Sequence, residues 1–242
     1  SSDMIQDIWP KHLDNQYKNL KPGNEDTVFY FQGSSLLARP SGHFNSQNPE
    51  ENVLIYPQYD EFVQGIKSSY GDKAVDNFEF IYLLSIDEEH FFLARKTGSL
   101  ERGTFLGEMA DSAVHKDMYS FVRGYEFIGV DSFRKAQPRE HAYAAITAFH
   151  LYGWYRDNHF CGRCGKPLKH DDKQRMLRCD CCKNMVFPKI CPAVIVAVTD
   201  KDRILLTKYA GRTYRNYALI AGFTEIGETT EETVSREVME EV

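Results

Sequence analysis

All six cysteines of this 242-residue chain lie between Cys161 and Cys191, and the first 160 residues contain none. A set of disulfide staples would be spread along the chain and would suit a secreted protein, so the clustering points to a metal. Cys161-Gly-Arg-Cys164, fourteen residues, then Cys179-Asp-Cys-Cys182 make two C-x-x-C knuckles. Each knuckle is a tight turn that aims two thiolates at one point, and two of them complete a tetrahedron around Zn²⁺. Only Cys182, not Cys181, restores the two-residue gap from Cys179. Cys191 precedes a proline at a strand start and is expected to be a buried spare thiol. His159 and His170 flank the cluster, but four cysteines already fill the shell. A closed site of this kind is structural, folding a segment too small to bury a core of its own.

Three zones follow. Residues 1–135 read as a β-rich mixed domain, with aromatic and β-branched runs at 27–38, 52–57 and 78–96. The last is expected to turn as a hairpin at Asp87-Glu88-Glu89. His43, His90 and His115 are scattered there and read as surface or packing residues. Residues 136–187 hold a helix from about Pro138, whose Ala142, Ala145, Ile146, Phe149 and Tyr152 recur at helical spacing, and then the cysteine ribbon. From 188 to 242, strand-like runs at 193–198, 203–209 and 217–223 lead into an acidic helix from about Thr229. The fold class is therefore α+β.

Charge and hydropathy narrow the partners. There are 29 basic and 35 acidic side chains, a net charge of −6, which argues against a protein built to coat DNA or RNA. Lys166, Lys169, Lys173, Arg175, Arg178 and Lys183 make the ribbon locally basic, so a ribbon that docks RNA or protein is a rival reading. With the chain as a whole acidic, a domain brace is preferred. No membrane span is expected, because no run of about 18 apolar residues occurs. The first residues lack the basic and apolar regions of a secretory signal, so a cytoplasmic setting is the default expectation.

The chain ends in AGFTEIGETTEETVSREVMEEV. Gly222, five residues, Glu228, seven residues, then Arg236-Glu237-Val238-Met239-Glu240-Glu241 spell G-x5-E-x7-R-E-U-x-E-E, where U is aliphatic. Thr229 and Glu232 fit a capping box at the helix start. At about 100° per residue, Glu237, Glu240 and Glu241 share one face. Val234, Val238 and Val242 form an adjoining stripe expected to seat the helix on a sheet. Three gathered carboxylates repel one another unless a divalent cation neutralises them, and hard oxygen donors suit Mg²⁺ or Mn²⁺. A solvated acidic face explains Glu231 and Glu232 but not the spacing of Gly222, Glu228 and Arg236.

That pattern resembles the Nudix box, the signature of hydrolases that cut a diphosphate linked to another moiety. With the ribbon directly before it, and with FPKICPAVIVAV between, the segment 154–242 is similar to the zinc-ribbon NADH pyrophosphatases, a family that also acts on NAD-capped RNA 5′ ends. The resemblance implies the first part of a Nudix α/β/α sandwich and hydrolysis of NAD(H) to AMP and nicotinamide mononucleotide, in a homodimer. It implies Glu237 and Glu241 as principal Mg²⁺ or Mn²⁺ ligands, with Glu240 a third ligand or the base for the attacking water. Arg236 and Glu228 would pair to fasten loop to helix, with Gly222 and Gly227 giving that loop its turns. Phe187, from the partner subunit, Ala221 and Phe223 would contact substrate. The ribbon glutamate of relatives is not carried over, because Gln174 stands there.

The box normally continues with one residue, a glycine and an aliphatic, and the family's S-Q-x-W-P-F-P-x-S motif comes later; here only Val242 follows Glu241. The expectation is a polypeptide truncated within the box and inactive as it stands. Rival readings are a pyrophosphatase of ADP-ribose or another nucleoside diphosphate derivative, and a zinc-ribbon binding module on a non-catalytic Nudix platform.

Overall fold

The computed structural model describes residues 4–43, 45, 52–97, 121–208 and 216–242, so His115 and Tyr209 fall outside the described residues. Contacts divide the chain into two compact units, Ser1–Pro188 and Lys189–Val242. The chain is a mixed α/β protein whose N-terminal region is rich in strands.

The first unit is built on seven strands: β1 (Leu13–Asp14), β2 (Thr27–Gln32), β3 (Ser35–Pro40), β4 (Leu54–Ile55), β5 (Phe78–Ile86), β6 (Glu89–Lys96) and β7 (Glu126–Gly129). They form one sheet in the order β1-β5-β6-β2-β3-β4, with β7 also paired to β3. β2 and β6 are parallel, from Thr27↔Phe91 to Tyr30↔Ala94. β5 and β6 make the expected hairpin, turning at Asp87, which takes a left-handed φ of 51°.

TVFYFQ is apolar at every central position because both sheet faces are covered. Its odd and even residues part: Phe29 and Phe31 join one core, while Val28 and Tyr30 join another. The second core is closed by Phe62 and Ile66 of α1 (Tyr59–Tyr70). The first is closed by α2 (Arg139–Asp157), through Ala142, Ala144, Ala145, Ala148, Trp154 and Tyr155. Each fully buried phenylalanine, such as Phe29 or Phe91, contributes about 1.5–3 kcal/mol of transfer free energy. Pro138 sits just ahead of α2 as its N-cap. Ile146, Phe149 and Tyr152 lie against the same core, half-buried, so the helical stripe is a packing surface.

The cysteine ribbon belongs to this unit. Its strands β8 (Leu168–His170), β9 (Leu177–Cys179) and β10 (Met185–Val186) pair in the order β10-β9-β8. Leu177 is part of the first core, and Leu168 and Val186 pack against it. Arg175 reaches from the ribbon to the carbonyl oxygens of Leu83 and, at 3.2 Å, Asn15. The Tyr155 hydroxyl and His170 Nε2 are 2.8 Å apart. These contacts hold the ribbon to the sheet as a brace would.

In the second unit β11 (Ala193–Val196) pairs antiparallel with β14 (Ile220–Phe223), and β12 (Thr199–Asp200) with β13 (Arg203–Ile204). The strands are shorter than their apolar runs suggest, and Ile204, Leu205 and Leu206 are exposed. α3 (Thr230–Glu241) follows β14 and packs on it and on β11. Among the described residues, no helix is long and apolar enough to cross a membrane.

Candidate active site and metal centres

The four cysteines come together as their spacing requires. Cys161 Sγ lies 3.5 Å from Cys182 Sγ, and Cys164 Sγ 3.4 Å from Cys179 Sγ. All four sulfurs fall within 4.8 Å of one another. A tetrahedron with Zn–S bonds near 2.3 Å has edges of about 3.8 Å, so the donor set fits Zn²⁺. The two knuckles repeat one hydrogen-bond scheme. Gly165 N donates to Cys161 O and Lys183 N to Cys179 O, at 2.8 and 2.9 Å. Gly165 takes φ 70° and Lys183 the matching 61°, a left-handed turn that glycine adopts more readily than lysine. Burial opposes ionisation of Cys161, yet the amides of Arg163 and Cys164 outweigh it and lower the thiol to about 6. The Lys166 amide favours the Cys164 thiolate, but hydrogen bonding with Cys179, burial and the neighbouring sulfurs push that thiol up to about 12. Four thiolates this close need a cation to coexist. Cys181 and Cys191 stand outside the cluster and are exposed. The expected burial of Cys191 is thus not found: it lies in the irregular stretch just before β11, with Ile190 beside it also exposed.

The acidic helix is organised by Arg236. Its Nε and Nη2 bind the two oxygens of Glu228 at 2.6 and 3.0 Å, a bidentate pair. Its Nη1 donates to Glu237 Oε1 at 2.8 Å and to Glu240 Oε2 at 3.3 Å, and Nη2 also reaches Phe223 O at 2.9 Å. One guanidinium therefore ties the end of β14, the loop and the helix together. Glu228 accepts two further bonds, from Glu225 N and Thr233 Oγ1. Chiefly through Arg236, its carboxyl is held down to about 2. Thr233, fully buried and bonded also to Thr229 O, is a positioning residue that sequence reasoning passed over. The available signal was a threonine on the inward face of an otherwise acidic helix.

The helix start is as its sequence implies. Thr229 Oγ1 accepts from Glu232 N at 3.2 Å, and Glu232 Oε2 accepts from Thr229 N at 2.8 Å. The helix face against the sheet is not the valine stripe, however. The buried residues of α3 are Thr233 and Glu237; Val234 and Val238 are half-buried and Val242 is 72% exposed. A carboxylate takes the inward position because Arg236 neutralises it and Gly222 leaves it room. Gly222 itself lies within β14, not in the loop, and its backbone is not left-handed. Gly227, at φ 94°, is the glycine that supplies the loop's turn.

Glu237, Glu240 and Glu241 share the last turns of α3 without converging, and the cysteines alone form a close donor group among the described residues. Glu237 is 8% exposed and turned to Gly222 and Arg236, while Glu240 and Glu241 are exposed. As a donor set these carboxylates suit a hard divalent cation, with two flexible side chains able to move toward it. Ala221 and Phe223 flank Gly222 on β14 and so face the other side of the strand from it. Both are exposed, and so is Phe187, in the first unit. Gln174 donates its backbone amide to Asp171 Oδ2 at 3.0 Å.

Residues 189–242 match the NUDIX domain family. The chain is 40% identical over 91 residues to proteins named NAD-capped RNA hydrolase NudC from Salmonella typhi, Salmonella heidelberg and Salmonella paratyphi B. Each alignment covers 38% of this chain and 35% of the relative, so the aligned stretch is about a third of the relatives' length.

Proposed function

We propose that the protein is a metal-dependent pyrophosphatase that cleaves NAD(H) to AMP and nicotinamide mononucleotide and removes NAD caps from RNA 5′ ends. The observation that carries this reading is the Arg236 network. It fixes Glu228 as a clamp and bonds Glu237 and Glu240, with Glu241 next to Glu240 in the last turn of the helix. The NUDIX match and the named activity of the relatives support the choice of a phosphoanhydride substrate.

In this reading Glu237 and Glu241 hold Mg²⁺ or Mn²⁺, with Glu240 as third ligand or general base. When bound, such a cation activates water and stabilises charge on the departing phosphate. Glu240 is suited to take a proton from the attacking water, being exposed and bonded to Arg236 at 3.3 Å. Arg236 and Glu228 hold the loop to the helix and take no part in proton transfer. The exposed rings of Phe223 and of Phe187 from the partner subunit of a homodimer, with Ala221, offer flat apolar contact to a base or nicotinamide ring. Cys161, Cys164, Cys179 and Cys182 hold a structural Zn²⁺.

Incubation of the full-length protein, including any residues that its gene encodes after Val242, with NADH and Mn²⁺, followed by chromatography of products, tests the reading. Nicotinamide mononucleotide and AMP are the expected products. Turnover of ADP-ribose with none of NADH would reject the substrate, and no turnover of any nucleoside diphosphate derivative would reject the chemistry.

A further inference from the structure

A Cβ added at Gly222 would land on the carboxylate of Glu237, overlapping Cδ and both oxygens far inside van der Waals contact. No left-handed backbone demands a glycine there, since Gly222 sits in regular strand pairing opposite Val194. What the missing side chain provides is space for one acidic group. Glu237 fills that space, only 8% exposed, with Oε1 bonded to Arg236 Nη1 at 2.8 Å. Arg236 is in turn locked by Glu228 and by Phe223 O, so the carboxylate is held between a fixed cation and a bare stretch of strand.

We infer that Gly222 is a positioning residue for cation binding: its lack of a side chain sets where the Glu237 carboxylate lies and so tunes the affinity of the acidic helix for a divalent metal. The inference rests on the proposed carboxylate metal site. The overlap involves the far end of a flexible side chain, so Gly222→Ala is relieved by swinging Glu237 aside and the strand keeps its pairing. The consequence falls on the carboxylate's position and only weakly on folding. The displacement takes the carboxylate away from Arg236, the partner that holds it in place.

Shortening the acid provides the control. In Glu237→Asp the carboxylate is withdrawn by one methylene, which leaves room for a methyl group at position 222. The experiment measures Mn²⁺ binding by electron paramagnetic resonance, with the cysteine site first filled with Zn²⁺ and no substrate present, alongside thermal unfolding. Gly222→Ala is expected to weaken Mn²⁺ binding by about tenfold or more, the scale seen when groups that orient a ligand are disturbed, while the unfolding midpoint barely moves. Glu237→Asp weakens binding in its own right, and adding Gly222→Ala to it should cost little more.

Unchanged Mn²⁺ affinity in Gly222→Ala, with Glu237→Gln reducing it, overturns the inference alone. Equal losses from Gly222→Ala in the parent chain and in the Glu237→Asp background overturn it too. So does a Gly222→Ala chain that fails to fold and is not restored by Glu237→Asp, because the strand would then be what needs glycine. No effect of Glu237→Gln on Mn²⁺ binding removes the carboxylate site itself, and the inference falls with it.

Discussion

At the cysteine ribbon four donors already face one point, whereas on the acidic helix three carboxylates share a face without meeting. The sulfurs are placed by two rigid turns whose backbone bonds repeat, so little remains to be adjusted on metal binding. The carboxylates sit on longer side chains, and an internal cation, Arg236, already answers part of their charge. A soft, closed set suits permanence, whereas in the proposed reading a hard, open one, balanced by a guanidinium, suits exchange with cation and phosphate. On the proposed reading, the difference separates a folding element from a chemical one.

The comparison breaks most severely if the cysteine set is not structural. Cys179 is fully buried in β9, beside Leu177 of the first core. Cys179→Ser, or removal of Zn²⁺ by a chelator, should collapse the ribbon, because structural zinc supplies on the order of 10 kcal/mol of binding in small zinc domains. Zinc content and thermal unfolding measure this. A metal-free protein that unfolds as the holo form does would reduce the cysteines to bystanders.

On the helix the effect should be chemical and not structural. In the full-length protein, Glu241→Gln removes a charge from an exposed side chain, so stability should hold while turnover of NADH falls by about 10²-fold or more, the scale of one lost electrostatic or acid–base contribution. Rates and unfolding midpoints measured together check it. Unchanged turnover would remove Glu241 from the site.

Both regions were legible in sequence to different depths. The knuckles were readable because turn geometry ties spacing directly to sulfur position. The capping box of Thr229 and Glu232 was readable for the same reason, being local, while the pairing of Arg236 with Glu228 was implied by the family resemblance. The valine stripe misled, because periodicity shows which residues share a face but not which face turns inward. That choice depends on a glycine eleven residues before Thr233 and on an arginine that makes a buried glutamate tolerable. The run at 27–38 was read as a strand, but that both faces of its sheet are covered, with Phe29 and Phe31 in one core and Val28 and Tyr30 in the other, was not read from it.

A subtler separation lies in pH. Glu228 is held near 2 against an ordinary value of 4.5, so the folded state binds its proton less readily than the unfolded chain does. Its contribution is complete above about pH 4.5 and is lost as pH falls toward 2. Glu228→Gln should flatten the acid limb of the second unit in that window, followed by circular dichroism, and leave the limb of the first unit as it was. An equal change in both units would mean that the Arg236 clamp does not act locally.

The smallest expected effect concerns the helix start. Thr229 Oγ1 satisfies the amide of Glu232, one of the donors left open at any helix N-terminus, and Glu232 returns a bond to the Thr229 amide. Thr229→Ala removes the first bond and should cost about 1 kcal/mol, within the range found for lost N-caps. The Glu228–Arg236 pair and the burial of Thr233 hold the same turn, so the helix should fray and not melt. Denaturant unfolding reads the loss, and Mn²⁺ affinity should stay near that of the parent, since Glu237 lies two turns further on. If Thr229→Ala instead weakened Mn²⁺ binding as much as Gly222→Ala, the carboxylates would depend on the whole helix being rigid and not on the space at β14.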